Sequence, residues 1–311
     1  MIQHLRNTNS AKIGQAIADA RPNGAASSGM VFTLIVVADS EAHFKAVFDA
    51  CRAAAKEHPS RILVVRNAEG ERTGVDAEVH MDEESIGEIV VLTFTGELSQ
   101  HRDSVLLPLL LPDSPVVVWW TGNAPAMVAD DPIGKLGTRR ITDATSSSHP
   151  VRALIERAQH LAPGDTDLTW TRVTPWRALL TAALDQYPAP VVAASVSGAQ
   201  GNPGALLLHS WLECRLGVAV TRTVSRTGYG ITEVMLATTK GDIRITRDDG
   251  RVATFTAPGL PARKVALRRR DVTALISEEL RFLDEEPVLA ATMACLAGKA
   301  AVSSEAEGAG A

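Results

Sequence analysis

The sequence predicts an α/β protein: an N-terminal doubly wound, Rossmann-like sheet followed by a second α/β (α+β) domain that ends in an antiparallel meander. Three observations carry this. The apolar run Val31–Val37, an amphipathic stretch from Glu41 to Glu57 and a second apolar run at Arg61–Arg66 follow one another on short links, the strand–helix–strand pattern of a parallel pair with a right-handed crossover. Val116–Trp120 is uninterruptedly apolar, as expected of a strand buried on both faces. Late in the chain, strand-like runs alternate with turns such as Lys240-Gly241-Asp242 and Asp248-Asp249-Gly250-Arg251, which read as hairpins.

Taken in order, residues 1–30 form a helical or poorly ordered segment, and residues 31–164 an N-terminal α/β domain. Its helix at 41–57 places Phe44, Val47, Phe48 and Cys51 on one face at spacings of three and four. Strands are expected at Gly74–Met81, Gly87–Phe94 and Arg139–Thr142, and helices at Arg102–Leu111, stopped by Pro112, and at Pro150–Leu161. Residues 165–297 form the second domain. Its first helix is expected to start with Thr174 as N-cap and Pro175 at the first helical position. A strand at Val191–Val196 and a helix at Pro203–Leu216 follow. The four strand-like runs after them are Val218–Ser225, Ile231–Thr238, Asp242–Arg247 and Arg251–Thr256, and helices at Asp271–Leu283 and Pro287–Ala297 close the fold. The Ala-, Gly-, Ser- and Glu-rich tail, residues 298–311, is expected to be disordered.

A chain of 311 residues is long for a single core, so two domains are the expectation. Hydrophobic residues make up 45% and mean hydropathy is +0.04, the values of a globular soluble protein. The apolar runs Val105–Leu111 and Val116–Trp120 fall well short of the roughly 20 residues that span a bilayer. The N-terminus lacks the apolar stretch of a secretory signal, so a cytoplasmic location is expected, with no membrane partner. Net charge is −5 and the one basic cluster is Arg268-Arg269-Arg270, followed by Glu278, Glu279 and Asp284 to Glu286. A mixed-charge surface is expected there, and no nucleic-acid partner. Cys51, Cys214 and Cys295 form no Cys-x-x-Cys and read as reduced thiols.

The middle third of the chain holds four of the five tryptophans together with arginines and aspartates. Trp119, Trp120, Arg139, Arg140, Asp143, Trp170, Arg172, Trp176 and Arg177 are candidate partner-binding residues, because Trp and Arg anchor interfaces and stack on one another. The competing reading is that the tryptophans are core and the arginines ion-pair with their aspartates; Asp165 and Asp167, ahead of Trp170, would pair with Arg172 or Arg177 as a structural pin. A second candidate is the stretch from Ser197 to Gly204 between a strand and a helix, whose Gly198, Gly201, Asn202 and Gly204 would expose backbone amides to a phosphate. Its Gly-x-x-Gly-x-x-Gly spacing is neither the dinucleotide fingerprint nor a Walker loop, and Asn202 as N-cap with Pro203 after it explains much of it structurally. Thr121-Gly122-Asn123 lies where doubly wound sheets bind ligands, with Asp130, Asp131 and Asp143 as acidic neighbours. No pair of histidines has the helical spacing of a zinc site and no Gly-x-Ser-x-Gly elbow occurs, so no catalytic residue, metal or cofactor is assigned.

The stretches LLLPDSPVVVWW (Leu109–Trp120), RRITDA (Arg139–Ala144), PGDTDLTWTRVTPWRALLTAALDQ (Pro163–Gln186), PVVAASVSG (Pro190–Gly198) and LLLHSWLECRLG (Leu206–Gly217) resemble the OpcA family, the glucose-6-phosphate dehydrogenase assembly proteins. TLIVV (Thr33–Val37), EHPSRILVV (Glu57–Val65) and RRDVTALISEELRFLD (Arg269–Asp284) extend the likeness over most of the chain. The resemblance implies a non-catalytic assembly factor and allosteric activator whose partner is glucose-6-phosphate dehydrogenase, in the carbohydrate metabolism of the oxidative pentose phosphate pathway. The alternative is a sugar-phosphate- or nucleotide-binding α/β protein that uses the Gly198–Gly204 loop, with a small phosphorylated metabolite as its partner.

Overall fold

The structure, a computed structural model, describes residues 2–21, 29–38, 41–70, 72–81, 87–226 and 230–308. In chain order the elements are β1 (Ile2–Leu5), α1 (Ser10–Asp19), β2 (Phe32–Val37), α2 (Glu41–Glu57), β3 (Ser60–Asn67), β4 (Gly74–Met81), β5 (Glu88–Thr95), α3 (Arg102–Leu106), β6 (Val116–Trp120), β7 (Arg139–Thr142), α4 (Pro150–Gln159) and β8 (Asp165–Asp167). There follow α5 (Leu168–Gln186), β9 (Val191–Gly198), α6 (Pro203–Leu216), β10 (Val220–Val224), β11 (Ile231–Thr238), β12 (Gly241–Thr246), β13 (Val252–Thr256), β14 (Arg263–Ala266), α7 (Val272–Glu279) and α8 (Pro287–Gly308).

The chain divides into two compact units. One holds residues 1–146, 162–166 and 271–285, and the other residues 147–161, 167–270 and 286–311. They are not the continuous stretches 31–164 and 165–297 expected from the sequence: α7 returns to the first unit, where it packs on α2, and α4 joins the second, where it packs on α6 and α8.

The first unit is built on a sheet of order β1-β4-β5-β3-β2-β6-β7-β8. From β5 onward this is the doubly wound order of dinucleotide-binding sheets, 3-2-1-4-5-6, with β5, β3, β2, β6 and β7 parallel. An antiparallel pair, β4 and β1, extends it on the β5 side. β2 is buried at every position, which explains why it reads as an unbroken apolar run rather than an alternation. Ile35, Val37, Leu63, Val65, Val118 and Trp120 face a core shared with Ile13 and Ile17 of α1 and Val105 and Leu106 of α3. Each such aliphatic side chain contributes about 1.5–3 kcal/mol relative to exposure. At the sheet's lower end the buried Glu88 accepts from Arg21 Nε at 2.6 Å and Arg61 Nε at 2.8 Å, and Arg61 Nη1 donates to the Leu109 carbonyl at 2.8 Å. One carboxylate thus fixes the chain before β2, the start of β3 and the leucine-proline segment.

The second unit is a sheet of order β10-β9-β11-β12-β13-β14. β9, α6 and β10 make a parallel strand–helix–strand unit, and β11 to β14 form the antiparallel meander. Gly217 closes α6 in the left-handed region at φ 65°, as a helix C-terminus commonly requires.

Several expectations are corrected. The helix expected over 102–111 ends at Leu106 and continues as a 3₁₀ turn at Leu107–Leu109, because Pro108 has no amide to extend the α-helical ladder. The helix expected to start at Pro175 starts seven residues earlier, with Asp167 rather than Thr174 as N-cap, and Pro175 lies inside it. Residues 1–30 include a strand, β1, as well as α1. Helix α8 runs past Gly298 to Gly308, into the tail expected to be disordered. Residues 22–28 of the N-terminal segment and 309–311 of the tail lie outside the described residues.

Candidate functional site

In the first unit the sequence candidates are structural and buried. Trp119 and Trp120 are 1% and 2% exposed, and as neighbours on β6 they point to opposite faces of the sheet. Arg139 Nη2 donates to Glu279 Oε2 of α7 at 3.0 Å, with both side chains buried. Arg140 pairs through Nε with Asp165 and donates to the carbonyls of Gly137 and Pro163, while its amide donates to the Gly164 carbonyl at 2.9 Å. It therefore clamps residues 163–165 along β7. Asp143 accepts from the Thr145 amide and the Ser146 hydroxyl, capping the 3₁₀ turn that follows β7. Of the two aspartates expected to pin the segment, Asp165 holds Arg140, and Asp167 Oδ1 caps α5 through the Thr169 amide at 2.8 Å.

In the second unit α5 presents Trp170, Arg172, Trp176 and Arg177. Both tryptophans are buried, Arg172 and Arg177 half-buried. The Arg177 guanidinium lies 3.4 Å over the Trp170 ring and donates to Thr174 Oγ1 at 2.9 Å. Trp176 carries a second guanidinium at 5.0 Å, that of Arg247, which the sequence does not single out. The stacking expected of this segment is thus present, but as internal packing within the unit.

The Ser197–Gly204 loop has the expected strand–loop–helix context. Asn202 caps α6 by accepting the Ala205 amide at 2.8 Å, and Pro203 opens the helix. Gly198 is required by packing, since a Cβ there would lie 2.9 Å from Ala205 Cβ and 3.0 Å from the Gly230 carbonyl oxygen. Gly201 adopts φ 70° and its missing Cβ would meet open space, so it makes the turn without lining a contact. Gly204 lies beside the Asn202 side chain and Val173.

At the doubly wound switch point, between β2 and β6, Thr121 is bound back to the Val37 carbonyl through both amide and hydroxyl. No glycine occurs between Gly29 and Gly70, so the turn after β2 lacks the residues that let a pyrophosphate approach the backbone. Asp131 is spent on the amides of Ile133 and Gly134 at 2.9 and 3.1 Å. Among the described residues no three His, Cys, Asp or Glu side chains are grouped to hold a metal ion.

A surface that sequence reasoning missed is the outward face of the second sheet. Along β9, β11, β12 and β13 buried residues alternate with partly exposed ones. The strand register aligns Ser195 with Met235, Ser197 with Glu233, Glu233 with Thr246, and Thr246 with Thr254. Ala193 and Ala237 are also aligned there. The charges in its centre cancel, because Arg244 Nη1 pairs with Glu233 Oε1 and Arg244 Nη2 lies 3.3 Å from Met235 Sδ. Small, mostly uncharged side chains make this face flat. The alternation is legible in ITEVMLAT, but which parity faces outward is set only by the packing of α6 on β9.

Family models described as the glucose-6-phosphate dehydrogenase subunit N-terminal domain and C-terminal domain match residues 51–159 and 163–293 respectively. No curated protein matches the chain. Solved structures with a similar chain path include a variant of the 3-ketoreductase KijD10 from Actinomadura kijaniata, at 11% identity and a TM-score of 0.48, covering 86% of this chain and 95% of that one. An oxidoreductase from Sinorhizobium meliloti matches at 14% identity and a TM-score of 0.41, covering 89% of each chain. An NAD-binding oxidoreductase from Klebsiella pneumoniae matches at 11% identity and 0.45, covering 88% of this chain and 98% of that one.

Proposed function

The chain belongs to the OpcA family of glucose-6-phosphate dehydrogenase subunits, and from that premise we propose that it is a non-catalytic assembly factor and allosteric activator of glucose-6-phosphate dehydrogenase, acting in the cytoplasm at the entry to the oxidative pentose phosphate pathway. The observation that carries this is the match of both halves of the chain, in order, to the two domains of one subunit family. The absence of the phosphate-binding glycines after β2 supports a doubly wound sheet put to a use other than dinucleotide binding.

The contact surface on this reading is the outward face of β9, β11, β12 and β13. A flat face of Ser, Thr, Ala and Met costs little to dehydrate, and its one central ion pair is already internally satisfied. The candidates Trp119, Trp120, Arg139, Arg140, Asp143, Trp170, Arg172, Trp176 and Arg177 then support the interaction by holding the fold, because most of them are buried. Activation requires that the protein bind the active conformation or oligomer of the dehydrogenase better than the inactive one, since only differential affinity moves such an equilibrium. A 100-fold preference supplies about 2.7 kcal/mol, enough to make a minor active state the major one.

Sedimentation velocity of the two purified proteins, alone and mixed, tests the association directly. A new species containing both is expected. Two unchanged boundaries at micromolar concentrations would refute it.

A further inference from the structure

Arg247, just after β12, is 6% exposed, and among the described residues no carboxylate pairs with it. Its Nη1 and Nη2 donate to the carbonyls of Leu267 and Ile231 at 3.1 and 3.0 Å, its plane lies over Trp176, and its Nε is buried without an acceptor. A buried cation held only by neutral groups is costly unless an anion completes its surroundings.

A second guanidinium lies beside it. Around the position a Cβ would take on Gly230, Arg269 Nη2 is at 3.5 Å and Arg247 Nη2 at 3.9 Å. Gly230 has φ 61°, a backbone that most residues avoid, and carries no side chain beside the two cations. Burial first, and the charge of Arg269 second, push the Arg247 guanidinium down to about 10. The acidic neighbour Asp249 is exposed, and its Oδ1 is already bound by the amides of Arg251 and Val252 at 2.8 and 2.9 Å.

The pair sits at the carboxyl end of β9. The Ala199 amide donates to the Gly230 carbonyl at 2.7 Å, which places the turn that leads into α6 against the same glycine. That end of a parallel strand–helix–strand unit is where α/β sheets take ligands, and α6 directs its positive end toward it.

We propose that Arg247 and Arg269, together with the Gly198–Asn202 turn, bind the phosphate group of a small phosphorylated metabolite. A phosphate monoester dianion matches two neighbouring guanidiniums in charge. The site lies wholly within the second unit and does not depend on the partner reading.

The test is calorimetric titration of the whole protein with inorganic phosphate and with a hexose 6-phosphate, using the unphosphorylated hexose and sodium chloride of matched ionic strength as controls. Saturable binding of at least one phosphate compound and none of the hexose is expected. Arg269→Ala, a change at an exposed side chain that leaves the core intact, is expected to weaken that binding at least tenfold with an unchanged circular-dichroism spectrum. Arg269→Lys should restore part of it. Absence of phosphate binding to the native protein, or equal affinity in Arg269→Ala, would overturn the proposal.

Discussion

The Arg270 guanidinium donates through Nη2 to the carbonyl of Thr171, the α5 carbonyl that Pro175 leaves without an amide. Proline inside a helix removes the bond from residue i to i−4 and usually kinks or breaks it, at about 3 kcal/mol. Here a side chain 99 residues further along the chain supplies the missing donor.

That relationship predicts a non-additive pair. Arg270→Ala should destabilise the protein by about 1–3 kcal/mol, the range for loss of a hydrogen bond from a charged donor. In a Pro175→Ala background, where residue 175 regains its amide, the same change should cost about 1 kcal/mol less. Urea unfolding of the four variants measures this, and equal costs in both backgrounds would show that the Arg270 contact does not compensate for the proline.

Arg139 and Glu279 form a buried ion pair, and breaking such a pair from one side costs more than replacing both partners. Arg139→Ala is therefore expected to cost about 3–5 kcal/mol, whereas Arg139→Met combined with Glu279→Leu should be within about 1 kcal/mol of the native protein. Denaturant midpoints of the single and double variants decide the matter.

The outward face of the second sheet can be tested without disturbing the core. Ser195→Lys and Met235→Glu lie on neighbouring strands in register and are expected to change stability by no more than about 0.5 kcal/mol. Each should lower affinity for the dehydrogenase at least tenfold, by about 1.4 kcal/mol, if the face is the contact. Normal binding by the double variant would move the contact elsewhere.

His209, on α6, has its pKa lowered from 6.5, chiefly by burial and against the opposing pull of Glu213. A histidine depressed in the folded state takes up its proton more readily when unfolded, so stability is constant above about pH 6.5 and falls as pH drops below it. His80, on β4, is lowered in the same direction by burial and adds to the loss. Unfolding free energy measured between pH 8 and pH 5 should fall less steeply in His209→Gln than in the native protein.

Much of the fold was legible because its central strands are buried on both faces. Phe32–Val37, Ile62–Val65 and Val116–Trp120 announce themselves as apolar runs, and Asn202-Pro203 marks the start of α6 by its capping chemistry. Strands β1 and β14 were not seen, because Ile2–Leu5 and Arg263–Ala266 are edge segments whose side chains stay largely exposed and leave no burial pattern. The start of α5 was misplaced because Thr174-Pro175 has the chemistry of an N-terminus, and nothing local reveals Arg270 as the donor that lets the helix continue. Among the Trp and Arg candidates Arg177 stacks on Trp170, while the pairing of Trp176 with Arg247 exists only in three dimensions. Which parity of β11 faces outward, and so what the proposed contact face presents, is decided by packing rather than by composition.

The central claim is tested most directly by the rate of glucose-6-phosphate oxidation by the same organism's dehydrogenase over a titration of this protein, with this protein alone as the control. The account predicts a saturable rise in rate at fixed dehydrogenase and no activity from this protein by itself. An unchanged rate at all ratios, with no complex detected, would contradict it.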